Sequence, residues 1–273
     1  MKGKKIEFVK LLKTSSVSLT GEYCALNCKH CGRHYLKNMA NINEIEDIAK
    51  NGYTSFLISG GLMPDGKIPF AAFKDKLKYL KKEYNLRYNF HTGFVDEEDL
   101  SVLKELSDVV SYDLVGDKET YYEVYGKGNF EKMWDSFFLL LENGIKVKPH
   151  VTLGLRKGVI SHEREAIKSL KEVSDKIDEI IFLIFIPTKG TEYESYKPPK
   201  INEVVLFLEN ARKNFPETKL ILGCMQPKGN YRKNIQEQLL GIVDKIVQPV
   251  LPTIKEAEKK GFEISYSYEC CAL

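Results

Sequence analysis

Short β-branched or aromatic runs alternate along this sequence with longer stretches of helical periodicity. Eight such runs occur: SVSLTG, SFLISGG, RYNFHTG, DVVSYDLVG, KVKPHVTLG, EIIFLIFIP, KLILGC and KIVQPV. Helices are predicted near residues 42–51, 68–83, 96–107, 129–142, 162–174, 201–213, 230–242 and 253–260. Strands that alternate with helices, without hairpin signals, form a parallel sheet with right-handed crossovers. The pattern therefore predicts an α/β fold, a TIM-like (β/α) barrel that is closed or nearly closed.

The chain of 273 residues fits one such barrel, which commonly needs about 250 residues. No linker rich in Pro, Gly or Ser interrupts the alternation, so we predict one barrel domain over residues 1–262 and a tail over residues 263–273. Six extended residues at about 3.3 Å each cover roughly 20 Å. We therefore expect the tail to return to the active-site face, where Cys270 and Cys271 would reach Cys224.

Charge and hydropathy exclude several classes of function. Lys and Arg total 41 against 38 for Asp and Glu, so nothing indicates a nucleic-acid partner. The apolar positions of the first residues are broken by Glu7, Lys10 and Lys13, and no long apolar stretch follows, so neither a secretory signal nor a membrane span is expected. We expect a cytoplasmic protein, in which clustered cysteines are metal ligands or catalysts rather than disulfides.

In barrels of this kind, function lies on the loops that follow the C-terminal ends of the strands. The unusual residues of this chain fall in such loops: Cys24, Cys28 and Cys31 after the first predicted strand, Gly60 and Gly61 after the second, His91 after the third, and Cys224 after the seventh. The active site is therefore predicted at this face.

Three cysteines within eight residues, in the segment CALNCKHC, indicate a metal site. A loop can wrap three thiolates around a [4Fe-4S] cluster, leaving one iron open to a small chelating molecule. Zinc is the alternative, with His30 or His34 as the fourth ligand. An isolated triplet at a barrel mouth favours the iron-sulfur cluster, because structural zinc sites usually pair two ligand half-sites.

The run Cys24-x-x-x-Cys28-x-x-Cys31, after a strand and ahead of an α/β alternation, resembles the signature of the radical S-adenosylmethionine (SAM) enzymes. The resemblance implies that the three thiolates hold a [4Fe-4S] cluster whose open iron chelates the amino and carboxylate groups of SAM. It also implies reductive cleavage of SAM to methionine and a 5'-deoxyadenosyl radical, which takes a hydrogen atom from an unactivated carbon.

The same resemblance suggests a set of SAM-binding residues. His30 stands where the family usually has an aromatic residue that packs near the adenine, and Ser59, Gly60 and Gly61 resemble the segment whose backbone holds the SAM amino group. The other expected contributors are His91, Gly154 and Leu155 in VTLGL, Pro187 in IFIP, and Asp113. Asp113 interrupts a strand that otherwise reads as buried, so its carboxylate needs a partner, such as the ribose hydroxyls, a cation or a structural hydrogen bond.

Cys224, Cys270 and Cys271 form a second possible ligand set. They could hold an auxiliary [4Fe-4S] cluster, with Ser265 or Ser267 as a further oxygen ligand. Adjacent cysteines point at one cluster with difficulty, so one of the pair could be spare, and simple packing of these thiols is the alternative.

Several strings, including TGEYCALNCKHC, NFHTG, KPHVTLGLRKG, PTKGT, LGCMQPKGNYR and the closing CC, most resemble one subunit of the two-protein lipoyl synthases and, more distantly, biotin-synthase-like barrels. The resemblance implies sulfur insertion into an octanoyl chain on a carrier protein or lipoyl domain. It also implies a second radical SAM subunit and an electron donor such as ferredoxin or flavodoxin. Lys228, Arg232 and Lys233 could face the carrier or the SAM carboxylate. The alternatives are a radical SAM enzyme acting on a free small molecule and a non-enzymatic iron-sulfur or zinc protein.

Overall fold

The computed structural model describes residues 4–273, which form one parallel sheet surrounded by helices. The strands are β1 (Lys5–Val9), β2 (Thr14–Ser18), β3 (Ala40–Asn41), β4 (Ser55–Ser59), β5 (Arg87–His91), β6 (Val109–Leu114), β7 (Val147–Leu153), β8 (Glu179–Ile184), β9 (Lys219–Leu222), β10 (Lys245–Val247) and β11 (Glu263–Ser267). Their order across the sheet is β11-β1-β10-β9-β8-β7-β6-β5-β4-β2-β3. All the pairings are parallel, as the alternation predicts.

The helices lie between consecutive strands. They are α1 (Ile45–Lys50), α2 (Lys74–Tyr84), α3 (Glu97–Leu106), α4 (Lys118–Tyr125), α5 (Phe130–Glu142), α6 (Glu163–Lys171), α7 (Ile201–Asn214), α8 (Asn230–Leu239) and α9 (Leu251–Lys259). Within residues 4–273, no helix is both long and apolar enough to cross a membrane.

All eight predicted strands and all eight predicted helices are present, with shifted ends. Three strands, β1, β3 and β11, and one helix, α4, were not predicted. Helix α4 begins where the Asp117 side chain accepts a hydrogen bond from the Thr120 backbone N–H at 2.7 Å, and it ends at Gly126 with φ of 69°. An acidic N-cap and a glycine after the last turn are ordinary helix signals, and the sequence carries both.

The sheet is curled, and its hydrogen bonding leaves β11 and β3 as edges rather than closing the barrel. Val9, Val109, Ile181, Ile221 and Val247 nevertheless form one buried cluster. These residues come from β1, β6, β8, β9 and β10, so they can meet only if the sheet bends around a common interior. The predicted α/β barrel is therefore present as a curled half-barrel of parallel strands, and its closure is not confirmed.

One part of this interior carries a chain of buried charges. Lys148, which is 1% exposed, lies 3.1 Å from the Glu179 carboxylate, and Lys245 lies 2.9 Å from the same group. Lys245 also lies 3.8 Å from Glu7 of β1. Because a buried charge is costly without a partner, these contacts tie β7, β8, β10 and β1 together.

The predicted return of the C-terminal tail to the active-site face is not confirmed. Only residues 10–13 separate the end of β1 from the start of β2, so these two strand ends lie close together. The tail reaches this connection, because the Tyr268 carbonyl accepts hydrogen bonds from the backbone N–H groups of Leu12 and Lys13. The tail is part of the sheet through β11, which pairs with β1. It then turns directly into the barrel at the starts of β2, β4 and β5.

Three hydrogen bonds fix this entry. Glu269 bonds to Thr54 at 2.7 Å and to Arg87 at 2.5 Å, and the Cys270 backbone N–H donates to the Thr14 hydroxyl at 2.6 Å. Thr54 immediately precedes β4, whereas Arg87 and Thr14 are the first residues of β5 and β2. The tail cysteines therefore enter the barrel from the end opposite to the loop that carries the cysteine triplet.

Candidate active site

Cys24, Cys28 and Cys31 lie in the loop after β2, which is fixed to the neighbouring strand end. The Gly61 backbone N–H donates to the Thr20 hydroxyl at 2.7 Å, and the Ala25 N–H donates to the Leu62 carbonyl at 2.7 Å. The loop therefore runs alongside the residues that follow β4. This brings the predicted Gly60-Gly61 segment and the cysteine triplet together.

Gly61 allows the closest part of this approach. A β-carbon at Gly61 would lie 2.0 Å from the Tyr23 carbonyl oxygen and 2.5 Å from Cβ of Cys24. At Gly60 the nearest atom would be the Thr20 hydroxyl at 3.0 Å. Gly61 is thus required for the path of the cysteine loop, and Gly60 is the less crowded of the two.

Helix α4 supports the other side of the loop. The Lys29 N–H donates to the Val124 carbonyl at 2.9 Å, and the rings of His30 and Tyr125 meet edge to face with centroids 6.0 Å apart. The His30 Nδ1 atom is buried without a hydrogen-bond partner. Such an atom is costly to leave unpaired, so the site has an unused position for a ligand hydrogen bond beside the triplet.

Two thiols of the loop, those of Cys28 and Cys31, are held in the neutral form. Burial raises the pKa of Cys28 to about 12, and the neighbouring Cys31 and Cys24 add to this shift. Burial also raises the pKa of Cys31. Thiolates at these positions therefore require a bound cation, and an iron-sulfur cluster supplies one through direct ligation.

His91, Asp113 and His150 form a polar group close to the triplet. His91 Nε2 lies 3.2 Å from Asp113 Oδ2, whereas Asp113 Oδ1 is buried and unpartnered. His150 pairs in register with Asp113 across β6 and β7, and its Nδ1 bonds to the Lys148 carbonyl at 3.1 Å. One oxygen of Asp113 is therefore available to a ligand. The sequence had predicted that this carboxylate needs a partner, because its strand reads as buried.

The charges within this group depend on one another. Burial tends to raise the pKa of Asp113, but the charges of His91, His150 and His30 and the hydrogen bond from His91 outweigh it, so the pKa falls to about 2. Burial tends to lower the pKa of His91, but Asp113 reverses this effect and raises it. Burial lowers the pKa of His150 to about 4, so that ring is neutral at pH 7. The result is an ionised Asp113 carboxylate beside a neutral His150 imidazole and a His91 imidazole whose protonated form the carboxylate favours.

Cys224, Cys270 and Cys271 come together inside the barrel. All three pack in the cluster around Val9, Ile181 and Val247, although Cys224 follows β9 and the other two belong to the tail. Burial raises the pKa of Cys224 to about 11, with Cys270 adding to the shift, and the Cys271 thiol beside Cys270 lowers the pKa of Cys270. Cys224 and the tail cysteines thus pack against the same apolar cluster, and a direct contact between them stays a prediction.

Tyr35 follows the cysteine triplet closely and was not singled out from the sequence. Its hydroxyl is 3.0 Å from that of Thr188. Burial raises the pKa of Tyr35, the hydrogen bond with Thr188 opposes this, and the thiols of both Cys31 and Cys224 raise it further. Tyr35 therefore lies within electrostatic range of a thiol from each group.

The remaining predicted residues lie around this interior. Ser59 donates to the His91 carbonyl at 3.1 Å, and Pro187 directly precedes Thr188. Gly154, with φ of 74°, donates its N–H to Glu163 at 2.6 Å and faces Pro199, while Leu155 is buried in the main core. No contact recorded for Gly154 or Leu155 involves the cysteine loop, so their role toward the adenine stays a prediction.

The further oxygen ligands and basic residues have different surroundings. The Ser267 hydroxyl donates to Glu7 at 2.6 Å, and Ser265 is exposed, so neither faces the thiols. Arg232 donates to the Gln226 carbonyl at 2.8 Å and keeps a buried, unpartnered Nε atom, whereas Lys228 and Lys233 are exposed. Arg232 thus belongs to the interior, and the two lysines belong to the surface.

No three His, Cys, Asp or Glu side chains between residues 4 and 273 converge on the position of a single metal ion. The zinc alternative requires such a convergence of ligands.

Comparison with known proteins gives a family match. The model of the Radical SAM superfamily matches residues 18–170, a range that begins at the end of β2 and includes the cysteine triplet, the Gly60-Gly61 segment and the His91 and Asp113 pair. Cys224, Cys270 and Cys271 lie outside the matched range.

Individual relatives are distant. A biotin synthase of Methanococcus aeolicus is 26% identical over 222 residues, covering 76% of this chain and 66% of that enzyme. The matched part thus spans just under two thirds of the relative. Among solved structures, the FeFe-hydrogenase maturase HydG of Carboxydothermus hydrogenoformans has a TM-score of 0.70 at 16% identity, covering 96% of this chain and 68% of that one. A methylornithine synthase has a TM-score of 0.65 at 14% identity, covering 89% and 73%. These structures share the fold.

Proposed function

Since the chain belongs to the radical SAM superfamily, we propose that it is an enzyme that uses SAM-derived radical chemistry to insert sulfur at an unactivated carbon. The observation that carries this proposal is a second group of thiols, Cys224, Cys270 and Cys271, packed inside the barrel whose β2 loop carries the cysteine triplet. The first group starts the radical chemistry, and the second supplies the sulfur.

The SAM side follows from the family match and from the donor set. Cys24, Cys28 and Cys31 would hold the [4Fe-4S] cluster, which when bound supplies the electron that cleaves SAM. The loop is held so close to Gly61 that its path is fixed before any ligand arrives. The unpartnered Asp113 Oδ1 and His30 Nδ1 atoms would bind the polar groups of the SAM nucleoside.

The sulfur side is proposed from Cys224, Cys270 and Cys271. These residues would hold an auxiliary cluster that is the sulfur donor and is therefore consumed. Their position suits this role, because they are packed inside the barrel, and Tyr35 lies within electrostatic range of both Cys31 and Cys224. A substrate carbon in the space between them would lie within reach of both steps.

For the substrate, we propose an octanoyl chain carried on a lysine of a carrier protein or lipoyl domain, with this chain acting as one subunit of a two-protein lipoyl synthase. A second radical SAM subunit and a ferredoxin or flavodoxin as electron donor belong to this proposal, as does a cytoplasmic location where thiols stay reduced. The exposed Lys228 and Lys233 offer positive charge to an acidic carrier.

A second candidate is sulfur insertion into a free small molecule. It is favoured by the relative named biotin synthase and by the polar His91, Asp113 and His150 group, which suits a substrate with hydrogen-bonding atoms better than a bare alkyl chain. The two candidates share the chemistry at both groups of thiols and differ only in what enters between them.

Two reciprocal variants test the division of labour. Cys28→Ala should remove about half of the iron and abolish deoxyadenosine formation, because a thiolate ligand of the first group is lost. Cys224→Ala should keep about four irons and form deoxyadenosine, yet yield no thiolated product. Product would be sought by mass spectrometry with an octanoyl-lysyl peptide, with and without a candidate second subunit, and with free carboxylic acids of similar length.

Each outcome has a definite meaning. Iron near eight per chain supports two clusters, and iron near four contradicts the sulfur-donor proposal. Normal sulfur insertion by Cys224→Ala would exclude Cys224 as a ligand of the donor cluster. Deoxyadenosine formation by Cys28→Ala at the wild-type rate would contradict the assignment of the first group.

A further inference from the structure

Asn89 and Ser111 are polar side chains enclosed within the barrel. Asn89 is 1% exposed on β5, and Ser111 is 3% exposed on β6. An amide buried without hydrogen bonds is destabilising, so a buried asparagine is retained only where its amide has a partner.

The contacts of this pair lead to the tail. The Ser111 hydroxyl is 3.0 Å from Asn89 Oδ1, and the Asn89 Nδ2 atom is 3.3 Å from the sulfur of Cys270. With its oxygen accepting from Ser111, the amide turns its N–H toward the sulfur. The pair therefore has one orientation, and Cys270 is the acceptor.

The chemistry of this acceptor is informative. A neutral thiol sulfur is a weak hydrogen-bond acceptor, whereas an ionised acceptor forms a bond about twice as strong. The neighbours of Cys271 in the same interior, including Val9, Val109 and Ile181, are apolar. Asn89 and Ser111 are thus polar residues on the part of the barrel wall that faces Cys270. Without a polar partner for them, apolar side chains would be more favourable at these buried positions.

We propose that Asn89, oriented by Ser111, is a positioning residue that donates a hydrogen bond to Cys270 as a thiolate ligand of the auxiliary cluster. This inference rests on the proposed function. It adds a role for two residues that belong to neither group of thiols. Hydrogen bonds to cluster sulfurs stabilise the more negative, reduced state, so the Asn89 amide raises the reduction potential of that cluster and slows its loss.

The test uses the holoprotein with both clusters and two variants. Asn89→Leu keeps a similar side-chain volume and removes the donor, and Ser111→Ala keeps the donor but frees its orientation. Ser136→Ala is the matched control, because it removes a buried hydroxyl that bonds to the Val95 N–H in another part of the fold. The measurements are the midpoint potential of each cluster by EPR-monitored titration and the rate at which a chelator removes iron.

Asn89→Leu should lower the potential of the auxiliary cluster and speed its loss to the chelator about tenfold or more, the usual effect of removing an outer partner of a metal ligand. Ser111→Ala should change both quantities in the same direction and by less. The triplet cluster and SAM cleavage should be unchanged in both variants, and Ser136→Ala should match the wild type.

These outcomes distinguish failure of the Asn89 inference from failure of the proposed function. A wild-type protein with only four irons would overturn the proposed function, and this inference with it. Two clusters in the wild type and an unchanged auxiliary cluster in Asn89→Leu would overturn the inference alone. If Asn89→Leu lost both clusters, its role would be structural unless Ser111→Ala shifted the auxiliary potential and spared the triplet.

Discussion

Replacing Arg87 with Met should loosen the tail without disturbing the cysteine triplet. The Arg87 guanidinium lies 2.5 Å from the Glu269 carboxylate and donates to the Leu273 carbonyl at 2.8 Å. Methionine keeps the apolar part of the side chain and removes both contacts. Glu269 retains its hydrogen bond with Thr54, so the tail should be weakened rather than freed.

The size of the effect follows from the exposure of the pair. The side chains of Arg87 and Glu269 are 45% and 23% exposed, so solvent screens much of their attraction, and an ion pair of this kind contributes about 0.2–1 kcal/mol. The hydrogen bond to the Leu273 carbonyl adds about 1 kcal/mol. A total of about 1–2 kcal/mol corresponds to a roughly 5- to 30-fold larger population of the released tail.

Alkylation of Cys271 measures this population, because the residue is 6% exposed while the tail is in place. The protein would be freed of iron by a chelator, its circular dichroism checked, and the labelling rate of each cysteine followed by mass spectrometry. When the tail recloses faster than the reagent reacts, the rate is proportional to the released population. Cys271 should therefore label about 5- to 30-fold faster in Arg87→Met.

A matched control comes from Lys5→Met. Lys5 pairs with Glu263 between β1 and β11, and both side chains are largely exposed, so its loss should leave the labelling of Cys271 within about twofold of the wild type. An unchanged rate in Arg87→Met would refute the anchoring role. An equal increase at Cys24 would show general unfolding instead of release of the tail.

Three further predictions concern other parts of the barrel. Gly61→Ala should displace the cysteine loop, because its β-carbon would overlap that loop, so iron at the triplet should fall while unfolding in urea stays cooperative. Lys148→Met removes a cation that is 1% exposed and should lower the free energy of unfolding by about 3 kcal/mol, measured by urea denaturation, because Glu179 loses one of its buried partners. The His91–Asp113 pair should stabilise the iron-free protein most between pH values of about 4 and 6.5. The pKa of Asp113 is lowered in the folded protein, so its contribution is lost as the pH falls through that lowered pKa. The pKa of His91 is raised, so its contribution is lost as the pH rises through that raised pKa. The difference in unfolding free energy between the wild type and Asp113→Asn should therefore shrink above this window, and a constant difference across pH would contradict the charged pair.

The sequence predicted the parts of the fold that are set locally. The eight strands found from their β-branched and aromatic runs are all present, because each carries buried residues in a run with strand propensity. The extended conformation of the tail was expected, but the pairing of Glu263–Ser267 as strand β11 was not, because its partner β1 lies at the other end of the chain. A pairing of this kind is a tertiary property that no local pattern contains.

The same distinction applies to the site. The spacing of Cys24, Cys28 and Cys31 is a local feature, and it led directly to the family that the comparisons identify. The role proposed for Asn89 depends on which side of β5 faces inward and on where the tail enters, so it could not be recognised from the sequence. Asn89 belongs to the string NFHTG, but the Cys270 sulfur that it contacts lies 181 residues away in the sequence.

The entry of the tail has a consequence for how such enzymes diverge. The cysteine triplet depends on β2, β4 and α4, whereas two of the three thiols of the second group arrive on residues 268–273. This short segment contacts the rest of the barrel through the starts of strands, away from the triplet loop. Under the proposed function, a scaffold arranged in this way exchanges its second reactive centre through changes in one short segment, while the part that matches the radical SAM family stays the same.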